Sequence, residues 1–171
     1  METLTAHIRD IPDFPSEGII FKDITPLLRN PEAMRLAVNA LILPFQDHPV
    51  TAVAGMEARG FVFGALAAQA LNVGFIPLRK PGKLPHDTHS VDYELEYGSA
   101  ALEVHRDAIQ SGDRILIVDD VLATGGTALA SCQLVEALGG DVAGCTFLLE
   151  IGPLNGRQKL HQYSLHSVLQ T

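Results

Sequence analysis

The sequence is short of cysteine and of long apolar runs, and each shortage excludes a class of protein. Cys132 and Cys145 are the only cysteines among 171 residues, and we interpret both as small buried apolar residues rather than a disulfide or a metal-binding pair. The longest apolar stretches, residues 41–45 and 61–68, are far too short to span a membrane. Residues 1–13 lack the apolar core of a signal peptide, so we expect a cytoplasmic protein.

Positive charge is also scarce. The chain has 12 Lys and Arg against 20 Asp and Glu, a net charge of −8 and a pI of about 5.2. An acidic chain is a poor binder of nucleic acid or of anionic membranes, so any phosphate must be recognised by local donors. Because 47% of the residues are hydrophobic, 19% are charged and no repeat is visible, the composition predicts one well-buried domain over residues 1–171.

One window, residues 115–128, combines a strand, two acids, a glycine turn and the start of a helix. Residues 115–118 are wholly apolar, which predicts a strand covered on both faces. Asp119 and Asp120 follow where we expect that strand to end. The adjacent glycines in residues 124–127 allow backbone N–H groups to converge on an anion, and the helix dipole adds to them. No Lys follows these glycines, so this is not a Walker loop. The window predicts a sugar-phosphate site, with phosphate in the loop and ribose hydroxyls on the acids.

Strands alternate with helices along the chain, which predicts a parallel α/β sheet. Asn30-Pro31 is typical of a helix start, and Gly139-Gly140 of a helix stop. The predicted strands are residues 51–54, 75–78, 115–119, 143–149 and a late one near 165–169, and the predicted helices are residues 31–43, 60–71 and 129–138.

Residues 80–105 break this alternation. Pro81, Gly82 and Pro85 predict a mobile loop, and the residues after it predict a hairpin with strands 91–97 and 100–105. An insertion of this kind is able to close over a site.

Residues 118–128 resemble the 5-phosphoribosyl-1-pyrophosphate (PRPP) loop of the type I phosphoribosyltransferases. Four further segments resemble the adenine-using members of that family: residues 13–24, 54–61, 79–85 and 93–98. The resemblance covers nearly the whole chain and implies an enzyme that transfers 5-phosphoribosyl from PRPP to adenine, giving AMP and pyrophosphate in purine salvage. It also implies a single α/β domain with a mostly parallel sheet flanked by helices, an N-terminal hood (1–30), a flexible loop with a hairpin flap (79–105), and a homodimer with shared active sites.

The resemblance further implies a role for each matching residue. It places the 5-phosphate of PRPP on Ala123, Thr124, Gly125, Gly126 and Thr127, and the ribose on Asp119 and Asp120. It places the pyrophosphate on Glu57, Ala58, Arg59, Arg79 and Lys83. It places the adenine on Ile20, Phe21 and Lys22, and it gives catalytic roles to Arg59 and Glu96. Mg²⁺ is expected to bridge pyrophosphate and ribose through PRPP oxygens and waters, and its direct protein ligands stay open. The family often has a cis peptide between the residues matching Glu57 and Ala58.

Ala123 separates the subfamilies, because the 6-oxopurine enzymes carry an Asp there that assists at N7 of the base. Proton handling must therefore fall elsewhere, and the resemblance implies Glu96; a solvent-exposed strand acid is the alternative for this residue. Near Ile20 and Lys22, backbone groups are expected to hydrogen-bond adenine, and a 6-oxo base would leave them unpaired. Lys22 departs from the Arg found there in some relatives.

Alternatives stay open for the basic residues and for the function. Arg59 suits bidentate phosphate contact better than a surface role at a helix start, where the dipole disfavours a cation. Arg79, Lys80 and Lys83 alone are typical of solvated loop charges, whereas the resemblance implies that Arg79 and Lys83 reach the neighbouring subunit's pyrophosphate. The rival functions are a sister phosphoribosyltransferase for xanthine or another 6-oxopurine, and a PRPP-sensing regulator. His86 and His89 we interpret as surface residues.

Overall fold

The computed structural model describes residues 2–94 and 99–171. Backbone proximity divides the chain into two compact units, Met1–Ala40 and Leu41–Thr171. The second unit holds the long β-strands, and its central sheet positions the residues of the predicted phosphate loop.

The first unit contains a two-stranded antiparallel ribbon and short helices. Its elements are α1 (Glu2–Thr5), β1 (Arg9–Pro12), β2 (Ile20–Asp23), α2 (Thr25–Arg29) and the start of α3 (Pro31–Ile42). Arg9 pairs with Asp23 and Pro12 with Ile20 across the ribbon. The side-chain oxygen of Asn30 accepts hydrogen bonds from two backbone N–H groups in the first turn of α3, both at 3.0 Å. The predicted Asn-Pro helix start is therefore confirmed.

The second unit is built on a five-stranded parallel sheet with the order β4-β3-β7-β8-β9. The strands are β3 (Ala52–Met56), β4 (Gly74–Leu78), β7 (Arg114–Leu122), β8 (Asp141–Glu150) and β9 (Leu165–Gln170). Its helices are α4 (Arg59–Leu71), α5 (Gly126–Ala137) and α6 (Gly156–Lys159), and short 3-10 helices cover Leu43–Phe45 and Gly152–Leu154. Helix α4 packs on β3, β4 and β7, and α5 packs on β7 and β8. The predicted α/β class with a parallel sheet is confirmed.

Strand β7 is the centre of this sheet. Ile115, Leu116, Ile117 and Val118 are fully buried, as expected for a strand covered on both faces. The strand does not end at the paired acids, however, and this part of the prediction is wrong. Residues up to Leu122 stay paired with β8, because the parallel register with that strand continues beyond the carboxylates.

The two cysteines lie in the core between sheet and helix. Cys132 of α5 and Cys145 of β8 are fully buried and free, with their sulfur atoms 3.6 Å apart. They pack with apolar residues such as Ile117, Val135 and Phe147. Their predicted role as small apolar core residues is confirmed.

The predicted hairpin is present as β5 (Thr88–Glu94) and β6 (Ser99–His105), which pair antiparallel from Thr88 opposite His105 to Glu94 opposite Ser99. Its first strand starts three residues earlier than predicted, and the predicted turn falls partly outside the described residues. Arg79 bridges Glu103 of β6 through two backbone hydrogen bonds of 2.9 and 2.7 Å. The residues after β4 are therefore attached to the hairpin.

The strand order reverses at β3. From β3 the chain adds β4 on one side, and then β7 on the other side of β3. In open parallel sheets, ligands bind outside the carboxyl ends of the strands where the order reverses in this way. The ends of β3 and β7 meet this condition. Within the described residues, no helix has both the length and the apolar character needed to cross a bilayer.

Candidate active site

A small cavity forms where β7 leads into α5. It has a volume of about 70 Å³ and is lined by residues 121–128 together with Asp119 and Phe147. Gly125 has a φ of +78°, a backbone conformation that favours glycine, and it stands immediately before α5. Among the described residues, no side-chain hydrogen bond caps the N-terminus of this helix at Gly125. The first residues of this twelve-residue helix line the cavity, and the N–H groups of a helix's first turn have no partner within the helix, which is the arrangement that binds phosphate.

The two predicted ribose-binding acids lie beside this cavity. Asp120 is buried and Asp119 is half-buried, and the backbone N–H of Asp120 donates to Oδ1 of Asp119 at 2.9 Å. Burial, and then the neighbouring carboxylate of Asp120, raises the pKa of Asp119 well above its ordinary value. Two neighbouring carboxyl groups offer acceptor oxygens, so they suit sugar hydroxyls better than an anion.

Arg59 forms an ion pair with one of these acids. Its Nε lies 2.6 Å from Oδ2 of Asp120, and 40% of the Arg59 side chain is exposed against 7% of the Asp120 side chain. Arg59 is the first residue of α4, which follows β3, and β3 is the neighbour of β7. The structure therefore brings together the predicted pyrophosphate-binding arginine and a predicted ribose-binding acid.

Gly60 allows the start of α4 to lie close to Asp119 of β7, a role that the sequence did not predict. A Cβ atom at Gly60 would lie 2.6 Å from Oδ1 of Asp119 and 3.1 Å from the carbonyl oxygen of Val118. Any larger residue would have to displace either the Asp119 carboxylate or the start of α4. The sequence feature that could have predicted this role is the position of Gly60, which directly follows Arg59 at the start of a helix that comes soon after a strand.

Glu57, Ala58 and Arg79 form a second polar group after β3 and β4. The Glu57–Ala58 peptide bond is cis. Arg79 donates from Nε to Oε2 of Glu57 at 2.8 Å and from Nη1 to the carbonyl oxygen of Lys83 at 3.0 Å. Its guanidinium carbon also lies 6.0 Å from the ring centre of Phe61. The predicted pyrophosphate residues Glu57, Arg79 and Lys83 thus lie together, with Arg79 paired to an acid of its own chain.

The predicted adenine-binding residues lie on β2 in the first unit. Ile20 is 58% exposed, and Phe21 contacts Phe14 edge to face with ring centres 5.2 Å apart. Lys22 forms an ion pair with Asp10 of β1, with Nζ 2.8 and 2.9 Å from the two carboxylate oxygens. Strand β2 therefore has the exposed apolar side chain of Ile20 near a lysine, Lys22, whose charge is balanced by Asp10.

Two further predictions concern proton handling and metal. Glu96, the predicted proton-handling residue, lies outside the described residues. Within the described ranges, no group of three or more His, Cys, Asp or Glu residues is placed to hold a metal ion.

Known proteins resemble the chain over nearly its full length. Residues 27–167 match the family described as phosphoribosyl transferase domain. An adenine phosphoribosyltransferase from Methylococcus capsulatus is 63% identical over 169 residues, which cover 99% of each protein. The crystal structure of adenine phosphoribosyltransferase from Rhodothermus marinus has a TM-score of 0.95 and 54% identity, covering 99% of this chain and 97% of that one. The enzyme from Giardia lamblia, solved as a complex with 9-deazaadenine, has a TM-score of 0.93 and 39% identity, with the same coverage.

Proposed function

The chain belongs to the phosphoribosyl transferase domain family and, within it, to the adenine phosphoribosyltransferases; we propose that it transfers the 5-phosphoribosyl group of PRPP to adenine at residues 119–128. The products are AMP and pyrophosphate, and the reaction belongs to purine salvage. The observation that carries this proposal is the junction of β7 and α5. It joins two acids to a glycine loop and a helix N-terminus at the point where the strand order reverses.

In this assignment the phosphate of PRPP binds in the loop and the ribose binds at the acids. Ala123 to Thr127 surround the 5-phosphate with backbone N–H groups and two threonine hydroxyls. Asp119 and Asp120 hold the 2- and 3-hydroxyls. Holding the ribose in this way orients the anomeric carbon for attack by the base. The transition state has oxocarbenium character, by analogy with other glycosyl transfers.

The leaving pyrophosphate gains negative charge and needs positive groups around it. Arg59 is half-exposed at the end of β3, and Arg79 and Lys83 lie together after β4. Arg59 and Arg79 are each paired with a carboxylate in this structure, Asp120 and Glu57 respectively. We expect the pyrophosphate to compete with these carboxylates for the guanidinium groups, since bidentate phosphate contacts are strong.

Mg²⁺ is proposed as the cofactor, bound through PRPP oxygens and waters. Mg²⁺ keeps several of its waters in proteins and is commonly bound through one or two carboxylates together with substrate phosphates. When bound, the ion supplies charge neutralisation for the leaving pyrophosphate. Direct protein ligands are not assigned.

Adenine recognition is assigned to Ile20, Phe21 and Lys22. Their strand exposes apolar surface suited to a flat base, and its backbone groups can present one acceptor and one donor. Ala123 carries no titratable group, which argues against a 6-oxopurine enzyme that needs an acid there. Glu96 is kept as the proposed proton-handling residue. We further propose a cytoplasmic homodimer whose subunits share active sites.

A base panel tests the function directly. Purified protein is assayed with PRPP, Mg²⁺ and one of adenine, hypoxanthine, guanine or xanthine. Adenine should have a kcat/KM at least about a hundredfold above each competitor, because a 6-oxo base would leave the assigned backbone donor and acceptor unpaired. Comparable efficiency with any 6-oxopurine would assign the chain to the sister enzyme. PRPP binding without turnover of any base would favour a sensor.

A further inference from the structure

The phosphate loop rests on a distant part of the chain, the backing segment, defined here as residues 152–159. This segment comprises the second 3-10 helix and α6. A Cβ atom at Gly156 would lie 2.9 Å from the backbone nitrogen of Gly125 and would overlap the carbonyl oxygen of Ala123. Conversely, a Cβ at Gly125 would lie 2.6 Å from the carbonyl oxygen of Gly156. The two glycines therefore bring backbone directly against backbone, with no side chain between them.

Backbone hydrogen bonds attach the backing segment to the sheet. The N–H of Ile151 donates to the carbonyl oxygen of Leu122 at 2.9 Å, at the end of β7. The N–H of Gly152 donates to the carbonyl oxygen of Thr171 at 2.9 Å. Asn155, just before Gly156, has a φ of +53°, which turns the chain back towards the loop. The chain that leads to Gly156 is thus hydrogen-bonded both to the strand that carries the acids and to the residue after β9.

An ion pair between a buried glutamate and a partly exposed arginine holds the residue after Gly156. Arg157 donates from Nε to Oε1 of Glu150 at 3.0 Å and from Nη2 to Oε2 at 2.6 Å. Glu150 is buried at the end of β8, opposite Leu122 in the strand register. The Arg157 guanidinium holds the pKa of Glu150 below its ordinary value, so the pair is ionised near neutral pH. Gln170 of β9 donates to Oε2 of the same carboxylate at 3.3 Å. A bidentate pair of this kind has one favoured geometry.

We propose that Gly156 and the Glu150–Arg157 pair are positioning residues that keep the phosphate loop in the shape that binds the 5-phosphate of PRPP. The inference rests on the proposed function. The loop has few side chains of its own to set its shape, since two of residues 123–127 are glycines. Its backbone N–H groups bind phosphate only if they converge, and a misplacement of about 1 Å can cost a hundredfold in rate. Backbone contact with the backing segment at Gly156 supplies the constraint on loop shape that the loop's own side chains do not.

The experiment compares Gly156→Ala with a matched glycine in the same segment. At Gly152 an added Cβ would meet only the Thr171 carbonyl oxygen, at an ordinary contact distance of 3.4 Å. Gly156→Ala should raise the KM for PRPP by at least about tenfold and leave the KM for adenine within about twofold, whereas Gly152→Ala should change neither. Calorimetric titration with ribose 5-phosphate should show the same weakening for Gly156→Ala only.

A second variant decides the matter if Gly156→Ala does not fold. Arg157→Lys keeps the charge but cannot form the bidentate pair, and it should raise the KM for PRPP by about threefold or more, with adenine unaffected. If the variants lower the melting temperature while both KM values stay at the wild-type level, or rise equally, the positioning role is wrong. Wild-type protein without PRPP turnover would instead overturn the proposed function itself.

Discussion

Arg59 and Asp120 form an ion pair across two neighbouring parallel strands, with Nε 2.6 Å from Oδ2. One residue follows β3 and the other lies within β7, so the pair spans the point at which the strand order reverses. Its carboxylate is buried, and 40% of the Arg59 side chain is exposed. The pair joins the proposed ribose and pyrophosphate subsites.

Replacing both acids should abolish most of the activity. Asp119→Asn combined with Asp120→Asn removes both carboxylates that are assigned to the ribose hydroxyls and also the partner of Arg59. We expect AMP synthesis from PRPP to fall by well over tenfold while the circular dichroism spectrum is retained. A loss of less than about tenfold, equivalent to about 1.4 kcal/mol of barrier, would contradict the ribose-holding role.

Asp119→Asn alone should increase stability at alkaline pH. The raised pKa of Asp119 means that the folded protein holds this proton more tightly than the unfolded chain does. Wild-type stability should therefore fall as pH rises from the ordinary Asp range through the folded pKa, and then level off. The neutral Asn avoids this loss and can still accept the Asp120 N–H. Melting temperatures between about pH 4 and pH 8 should show a gain for the variant that narrows as pH falls.

Asp141→Asn is the matched control, because it removes an exposed carboxylate at the start of β8. Its melting temperature should follow the wild-type curve. A variant Asp119→Asn that is less stable than wild type at about pH 8 would contradict a raised pKa of Asp119 in the folded protein.

Gly60→Ala should lower the catalytic efficiency by displacing other residues of the proposed site. Its Cβ would lie 2.6 Å from Asp119, so either the carboxylate or the start of α4 must move. We expect kcat/KM for PRPP to fall by about tenfold or more. Gly74→Ala is the control, since nothing lies within 4 Å of a Cβ there and its φ is not in the left-handed region. Equal kinetics for the two variants would show that the approach of α4 to β7 is unimportant.

Subunit mixing tests the proposed shared site. One variant carries Arg79→Ala and Lys83→Ala, and the other carries Asp119→Asn and Asp120→Asn; each homodimer should be nearly inactive. After unfolding and refolding together, about half of the dimers should be hybrids with one intact site, and about a quarter of wild-type activity should return. If Arg79 serves its own chain, where it contacts Glu57, no hybrid site is intact and the mixture stays inactive.

Local patterns were enough to predict much of the fold. The apolar run of β7, the Asn30-Pro31 helix start and the Gly139 helix stop depend on residues adjacent in the chain, and the structure contains all three elements. Helix α5 ends at Ala137, and Gly139 follows with a φ of +87°. The end of β7 was misjudged because its pairing with β8, and not its own composition, carries the strand past two acids.

The proposed site was predictable because its parts are contiguous in the chain: an acid pair, a glycine loop and a helix start follow one another, and the net charge of −8 is unsuited to nucleic acid. Tertiary structure alone decided which residues meet that loop. Arg59 reaches Asp120 because β3 and β7 are neighbours, and Gly156 supports Gly125 because the chain returns there after β8. Such contacts join residues far apart in the chain, and only the packing of the whole sheet selects them from the alternatives.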